Sequence, residues 1–353
     1  MTAQLPDATG GRSRLDAVME IVPGLALAVA VALSAYGLAQ LLPRGVPLPA
    51  IVLALFIGML LHAVARMPAA QPGVAFCVRT LLRWAIALLG LRVSLADIAA
   101  LGPSTAGLII GAMVVTIVAG FAIARANRQP PGFGALAGAA TAVCGASAAL
   151  ATSTVVPNYP GKQADVVFVV IGMNALATLA LVIYPPLCAL IGLDPQATGV
   201  MLGGTIHDMA QVVGAGYAVS EPVGNAAVIV KLFRIFLLLP VVLSIGWYFR
   251  YSGAEPGAAN VPVPVFALVF LVLCLVNSAV PLVPELLPLY APIRTVLIEC
   301  SGAGLLIAIG ALGLGTSPAA LTQFGWRHVA TILATTAIVF AIVTGGLLAL
   351  QKL

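Results

Sequence analysis

The chain has 353 residues, 61% of them hydrophobic and 8% charged, with a mean hydropathy of +1.13. A soluble domain carries roughly 25% charged residues, so water is excluded as the main solvent. The net charge of +5 comes from sixteen Lys and Arg that form no run or stripe, which points away from nucleic acid and toward membrane topology.

The N-terminus, Met1 to Glu20, reads as a polar segment, and Ile21 to Leu350 reads as one transmembrane domain. Cutting at charges and at Pro, Gly and Asn clusters gives apolar segments at 21–42, 48–65, 81–95, 106–124, 135–156, 166–191, 199–217, 226–249, 265–280, 296–314 and 329–350. The fold class is therefore all-α, a polytopic membrane protein of about eleven transmembrane segments. The first of these is too long for a signal-peptide core and is expected to be retained. Cys77, Cys144, Cys188, Cys274 and Cys300 all lie in apolar segments without a CxxC pair, so no disulfide framework, metal site or cofactor is expected.

Loops on the N-terminal side of this count hold Arg12, Arg14, Arg66, Arg79, Arg83, Arg125, Arg128, Arg250 and Arg327. The opposite loops hold Arg44, Arg92, Lys162, Arg294 and Lys352. The bias predicts an inner-membrane protein with a cytoplasmic N-terminus and, for an odd count, an external C-terminus. One fixed offset carries Gly90-Leu91-x-x-Ser94-x-Ala96 and Gly102 onto Gly313-Leu314-x-x-Ser317-x-Ala319 and Gly325. Each copy ends one apolar helix and leads into another. An odd number of crossings between them makes the repeat inverted, a signature of secondary transporters.

Gly134 to Thr152 is built of small residues, with Gly138, Cys144, Gly145, Ala146 and Ser147 near its middle. Glycine weakens a helix by ~1 kcal/mol relative to alanine, so a break near Cys144-Gly145 is expected. A half-helix beginning there would offer backbone N–H groups to an anion. The plain alternative is a smooth helix whose small residues let neighbours approach closely.

Gly203 to Gly216 places Thr205, His207, Asp208, Gln211 and Gly214 within an apolar run. On a helix His207, Asp208 and Gln211 would share about one face. A charge at the bilayer centre costs at least ~2.5–3.5 kcal/mol, so Asp208 needs a partner or a wet cavity, and His207 or Asp208 could carry a coupling proton. The alternative is that the pair lies at the interface and caps a helix.

Lys231 and Arg234 follow on one face of the next apolar helix. They either snorkel to the interface or present a cationic surface to an anionic substrate. Glu299, with Thr295 a turn before it and Ser301 beside it, is a further coupling candidate. Asn174 and Asn277 are expected to hold helices together, and His62 and His328 to sit solvated at helix ends.

These pieces, in this order, resemble a bacterial family of membrane proteins known as YeiH and labelled sulfate exporters. The matching residues are Ala87 to Leu95 (ALLGLRVSL), Cys144-Gly145-Ala146-Ser147-Ala148, Gly204 to Gly216, and Lys231-Leu232-x-Arg234. Ile206 and Met209 stand where that pattern has more polar residues. The resemblance, from Leu25 to Leu350, implies a fold similar to the cation/proton antiporter and anion transporter superfamily, with inverted halves and broken crossing helices. It also implies a small anionic substrate such as sulfate or sulfite, with sulfonates open.

The expected function is secondary active transport of a small, sulfur-containing or other inorganic anion, coupled to H+ or Na+. The site would be Cys144, Gly145, Ala146, Ser147, Thr205, His207, Asp208, Gln211, Gly214, Lys231 and Arg234, with His207, Asp208 and Glu299 as coupling groups. The bilayer and the anion are the expected partners, nucleic acid is not, and a homodimer stays open. An anion channel would share every motif. An intramembrane enzyme is disfavoured, because HExxH, paired aspartates and a Ser/His dyad are all missing.

Overall fold

The computed structural model describes residues 14–41, 49–251, 265–315 and 325–351. Arg12, Arg44 and Lys352 of the charge pattern, and Ser317 and Ala319 of the repeat, lie outside the described residues.

Among the described residues every regular element is helical. In chain order the principal helices are α1 (Arg14–Leu41), α2 (Ala50–Leu60), α3 (the helical run Gln71–Leu91), α4 (Gly102–Ala126), α5 (Pro131–Ala142) and α6 (Ala146–Val155). They continue with α7 (Lys162–Leu190), α8 (Pro195–Thr205), α9 (Met209–Val219), α10 (Glu221–Phe236) and α11 (Leu238–Tyr251). The last are α12 (Val265–Ala279), α13 (Leu287–Gly315) and α14 (Trp326–Leu350). Among the described residues eight stretches are long and apolar enough to cross a membrane: Met19–Leu41, Gln71–Leu91, Gly102–Ala126, Lys162–Leu190, Glu221–Tyr251, Val265–Leu282, Pro284–Gly315 and Trp326–Leu350. The chain is thus an all-α polytopic membrane protein.

The described parts of the eleven apolar segments are mainly helical, but the count of eleven full crossings does not follow. Ala50–Leu60 is short, and the segments 135–156 and 199–217 are each broken into two half-helices. Two boundaries also move. The first helix begins at Arg14, ahead of Ile21, and the third run begins at Gln71, taking in Arg79 and Arg83 that charge-based cutting had placed in a loop.

The structure divides into two compact units. One comprises residues up to Arg83 together with Gly304–Thr316. Its helices meet backbone to backbone where glycine faces glycine: Gly24 lies on Gly73, and Gly58 lies on Gly310 and Gly313. Ala28, Val31, Cys77, Ala311 and Leu314 form its buried core. His62 donates from Nδ1 to the Leu314 carbonyl (2.7 Å) and accepts from Arg66 Nε (3.2 Å), so it is bonded within the fold.

The second unit, Trp84–Ala303 with Ser317–Leu353, holds every candidate site residue. Its entry is fixed by Ser94, which caps a short helix in a reciprocal pair with Asp97, one side chain on each other's backbone N–H. Asn277 donates to the Val93 carbonyl and accepts from Tyr290 and Arg294, a helix-joining role. Asp194 caps α8 through Ala197 N–H (2.8 Å), and Gln351 also donates to it. Those two bonds, chiefly that from Ala197, hold its carboxyl below the usual carboxylate range. His328 bonds Asp165 (3.1 Å), which also accepts from Tyr159, tying α14 to α7.

Small residues set how closely the helices of this unit approach. Gly120 of α4 lies against Gly134 and Gly138 of α5, and Gly199 and Gly203 of α8 lie against Val223, Ala226 and Ala227 of α10. Close packing and breakage, which the sequence offers as alternatives for the Gly134–Thr152 stretch, both occur: the glycines pack α5, and the helix ends beyond them. A Cβ at Gly203 would collide with the Ala227 carbonyl, whereas one at Gly345 of α14 meets open space. Gly203→Ala should therefore cost ~1–3 kcal/mol by overpacking, and Gly345→Ala should be neutral or gain ~0.5–1 kcal/mol of helix stability. Thermal unfolding of the purified variants in detergent checks this, and equal midpoints would contradict the packing described.

Candidate functional site

Helix α5 stops at Ala142, where Val143 leaves the helical region (φ −114°, ψ −86°), and α6 restarts after Gly145 at φ +60°. That positive φ is why the break falls on a glycine, since an L side chain there is strained by ~1–2 kcal/mol. The second break runs from Ile206 (ψ 133°) through His207 to Asp208 (ψ 148°), between α8 and α9. The two breaks lie together: a Cβ on Gly145 would sit 3.4 Å from the His207 carbonyl oxygen.

Each break leaves the last carbonyls of one half-helix and the first N–H groups of the next without helical partners. The carbonyls are satisfied by α10. Lys231 Nζ donates to Val143 O (2.8 Å), Ile206 O (2.9 Å) and His207 O (2.6 Å). Arg234 donates to Ala142 O from Nε (2.9 Å), to Thr141 O from Nη2 (2.7 Å), and to Gly203 O (3.0 Å) and Ile206 O (3.5 Å) from Nη1. Both side chains are 0% exposed. This excludes snorkelling, and it also assigns their donors to backbone rather than to an open cavity. Two cations at two helix C-termini is the arrangement the helix dipole favours.

The N-terminal ends differ from each other. Asp208 caps α9, its side-chain oxygen accepting from Ala210 N–H (3.1 Å), so that end already holds a carboxyl cap. At α6 the first N–H groups belong to Ala146, half-buried, and Ser147, exposed, and the Cys144 thiol lies against the Ala148 N–H. No carboxylate occupies this end among the described residues.

His207 is buried and its Nε2 hydrogen-bonds with Thr336 Oγ1 (2.9 Å), which also lies 2.7 Å from Ile332 O. Gln211 donates to Asn174 Oδ1 (3.2 Å) and Thr178 Oγ1 (3.3 Å), while its own Oε1 is buried without a hydrogen-bond partner. Thr205 bonds back to Met201 O (2.6 Å), and Gly214 is buried in α9.

These helices belong to a described family. The profile of Conserved hypothetical protein 698 matches residues 23–332. The chain belongs to this family, the YeiH-type UPF0324 membrane proteins. Its similarity to UPF0324 membrane protein TauZ of Paracoccus pantotrophus is 39% identity over 334 residues, 94% of this chain and 96% of the relative. TauZ of Paracoccus denitrificans is 40% identical over 329 residues (92% and 94%), and a UPF0324 membrane protein of Chlorobaculum tepidum 37% over 301 residues (84% and 82%).

The UPF0324 chain brings Cys144, Gly145, Ala146, Ser147, Thr205, His207, Asp208, Lys231 and Arg234 to the paired breaks. It does not give His207, Asp208 and Gln211 a common helical face, because the helix is interrupted between them: His207 turns to α14, Asp208 caps α9, and Gln211 turns to α7. Glu299 is elsewhere. It is exposed on α13, while Thr295 and Ser301 bond to Ala291 O and Ala85 O instead of to it. Sequence reasoning missed Thr141, Thr178, Thr335 and Thr336. Thr141 and Thr335 are fully buried and bonded to each other (2.9 Å). The adjacent threonines Thr335-Thr336 within an apolar helix were the available signal.

Removing the Lys231 ammonium would strand the Val143 and His207 carbonyls and leave Ile206 O only its 3.5 Å bond from Arg234, each unsatisfied buried group costing ~1–3 kcal/mol. Lys231→Met should therefore lower the unfolding midpoint sharply in substrate-free protein, and more than His207→Gln, which loses one bond. Differential scanning fluorimetry in detergent measures this. An unchanged midpoint for Lys231→Met would mean that the cation is not holding the two helix ends.

Proposed function

We propose that this protein is a secondary active transporter of a small anion, of the sulfate or sulfite class, and not an enzyme. The single observation that carries the reading is the asymmetry at the paired breaks. Both helix C-termini are neutralised by Lys231 and Arg234, and one N-terminus is filled by the Asp208 carboxyl. The N-terminus at Ala146-Ser147 is left open, and a helix N-terminus is a ready anion site.

Charge balance supports the same conclusion. Each helix end is equivalent to roughly half a charge. Two cations and two N-termini, set against two C-termini and one ionised carboxylate, leave an excess of about one positive charge. A monovalent anion would balance it, and a divalent one such as sulfate would do so with Asp208 protonated. The family's label of sulfate exporter agrees in sign of charge.

Asp208 supplies coupling in this reading. Protonating it removes the internal anion and raises the positive excess by one, so proton and substrate anion bind together rather than compete. Apparent affinity should then rise as pH falls through the titration of Asp208. Asp208→Asn should hold affinity at its low-pH value and abolish the dependence. Uptake of labelled sulfate and sulfite into proteoliposomes, with and without a pH gradient, tests this, and saturable counter-flow separates a carrier from a channel. Full pH-dependent flux in Asp208→Asn with loss in Glu299→Gln would move the proton site to α13.

The orientation we propose is a bacterial inner-membrane protein with its N-terminus cytoplasmic and its C-terminus external, on the arginine bias. A reporter fused after Leu353 should be active only if external. A cytoplasmic signal there would overturn the odd number of crossings.

A further inference from the structure

On the outside of the second unit, α4 and α11 diverge to leave an apolar groove of about 490 Å³, lined by residues including Ile110, Ile117 and Phe121 on one wall and Val241, Ser244 and Tyr248 on the other. The eleven-residue rise from Ile110 to Phe121 is ~16 Å at helical pitch. That is about one leaflet of a ~30 Å hydrocarbon core. The groove ends where Phe121 and Tyr248 meet, their ring centroids 5.2 Å apart. Beyond them lies a second hollow, of about 300 Å³, whose walls include Pro130, Pro157, Tyr159 and the same Tyr248.

This end carries the marks of a membrane–water interface. Trp247 and Tyr251 of α11 are 70% and 85% exposed and stack at 5.8 Å. Arg125 continues the Ile117–Phe121 stripe one turn on, Arg128 follows in the turn after α4, and Arg250 stands at the end of α11. All three are exposed, and none is in an ion pair among the described residues.

We infer that this groove binds one anionic phospholipid. An acyl chain lies along α4 and α11, the glycerol region occupies the hollow beyond Tyr248, and the phosphate meets Arg125 and Arg128. Charge selects this occupant over a second copy of the chain. A two-fold axis along the membrane normal would bring the same arginines together at the same depth, where they repel. An anionic headgroup complements them.

Native mass spectrometry of the full-length protein, titrated with phosphatidylglycerol or phosphatidylcholine of equal chain length, tests the inference. Phosphatidylglycerol should give a preferential single adduct that resists activation. Arg125→Gln and Arg128→Gln should each reduce that preference about fivefold, the effect of one basic residue at an anionic surface. Val114→Trp, which fills the groove from an exposed position, should reduce retention of both lipids. Because the two arginines are exposed, their variants keep the test open if Val114→Trp fails to fold. Equal retention of the two lipids, or an unchanged preference in both arginine variants, would overturn the proposal. So would a lipid-free dimer that Val114→Trp dissociates, since the occupant would then be a second copy.

Discussion

Everything at the candidate site depends on two cations solvated by backbone. Lys231 and Arg234 are fully buried, and neither forms an ion pair with a carboxylate among the described residues. Burying a lone charge is normally prohibitive, and a cell membrane gives no water to relieve it. The cost is offset because the same helix breaks that expose carbonyls supply the ligands. Six residues, Thr141, Ala142, Val143, Gly203, Ile206 and His207, present their oxygens to the two side chains. Neither half is stable alone: broken helices without the cations carry orphan acceptors, and the cations without the breaks have no ligands.

That mutual dependence explains why α10 is packed so closely. Lys231 and Arg234 reach the breaks only if α8 lies directly on α10, and Gly199 and Gly203 permit it by removing side chains from the contact. On the other side, Gly134 and Gly138 seat α5 on α4. The small-residue stretches are therefore part of the site's construction, since they hold the two helix ends at the separation one arginine can bridge. Thr141 serves both functions. Its hydroxyl bonds Thr335 and its carbonyl receives Arg234, linking the breaks to α14.

Much of this was legible in the sequence. Apolar runs and family resemblance identify a polytopic membrane protein, and Gly145 marks the first break to within a few residues. The use of Lys231 and Arg234 was not legible. Two buried cations near an anion motif read naturally as substrate ligands, and only three-dimensional placement shows their donors turned to carbonyls. The shared face of His207, Asp208 and Gln211 failed for a related reason. Helical periodicity was extended across a segment where the helix stops, so the three residues turn to α14, α9 and α7. Apolar length likewise counts a broken helix and a continuous one alike.

The claim that the Ala146-Ser147 end of α6 is the anion site can be tested at a single atom. Ser147 is exposed, and of the cysteines only Cys300 is. In a Cys300→Ser background, Ser147→Cys should react with an impermeant anionic thiol reagent, and sulfate or methanesulfonate should slow the reaction in a saturable manner while gluconate does not. Labelling that is equally fast with and without these anions would contradict the account, because the open helix end would then lie outside the path the anion takes.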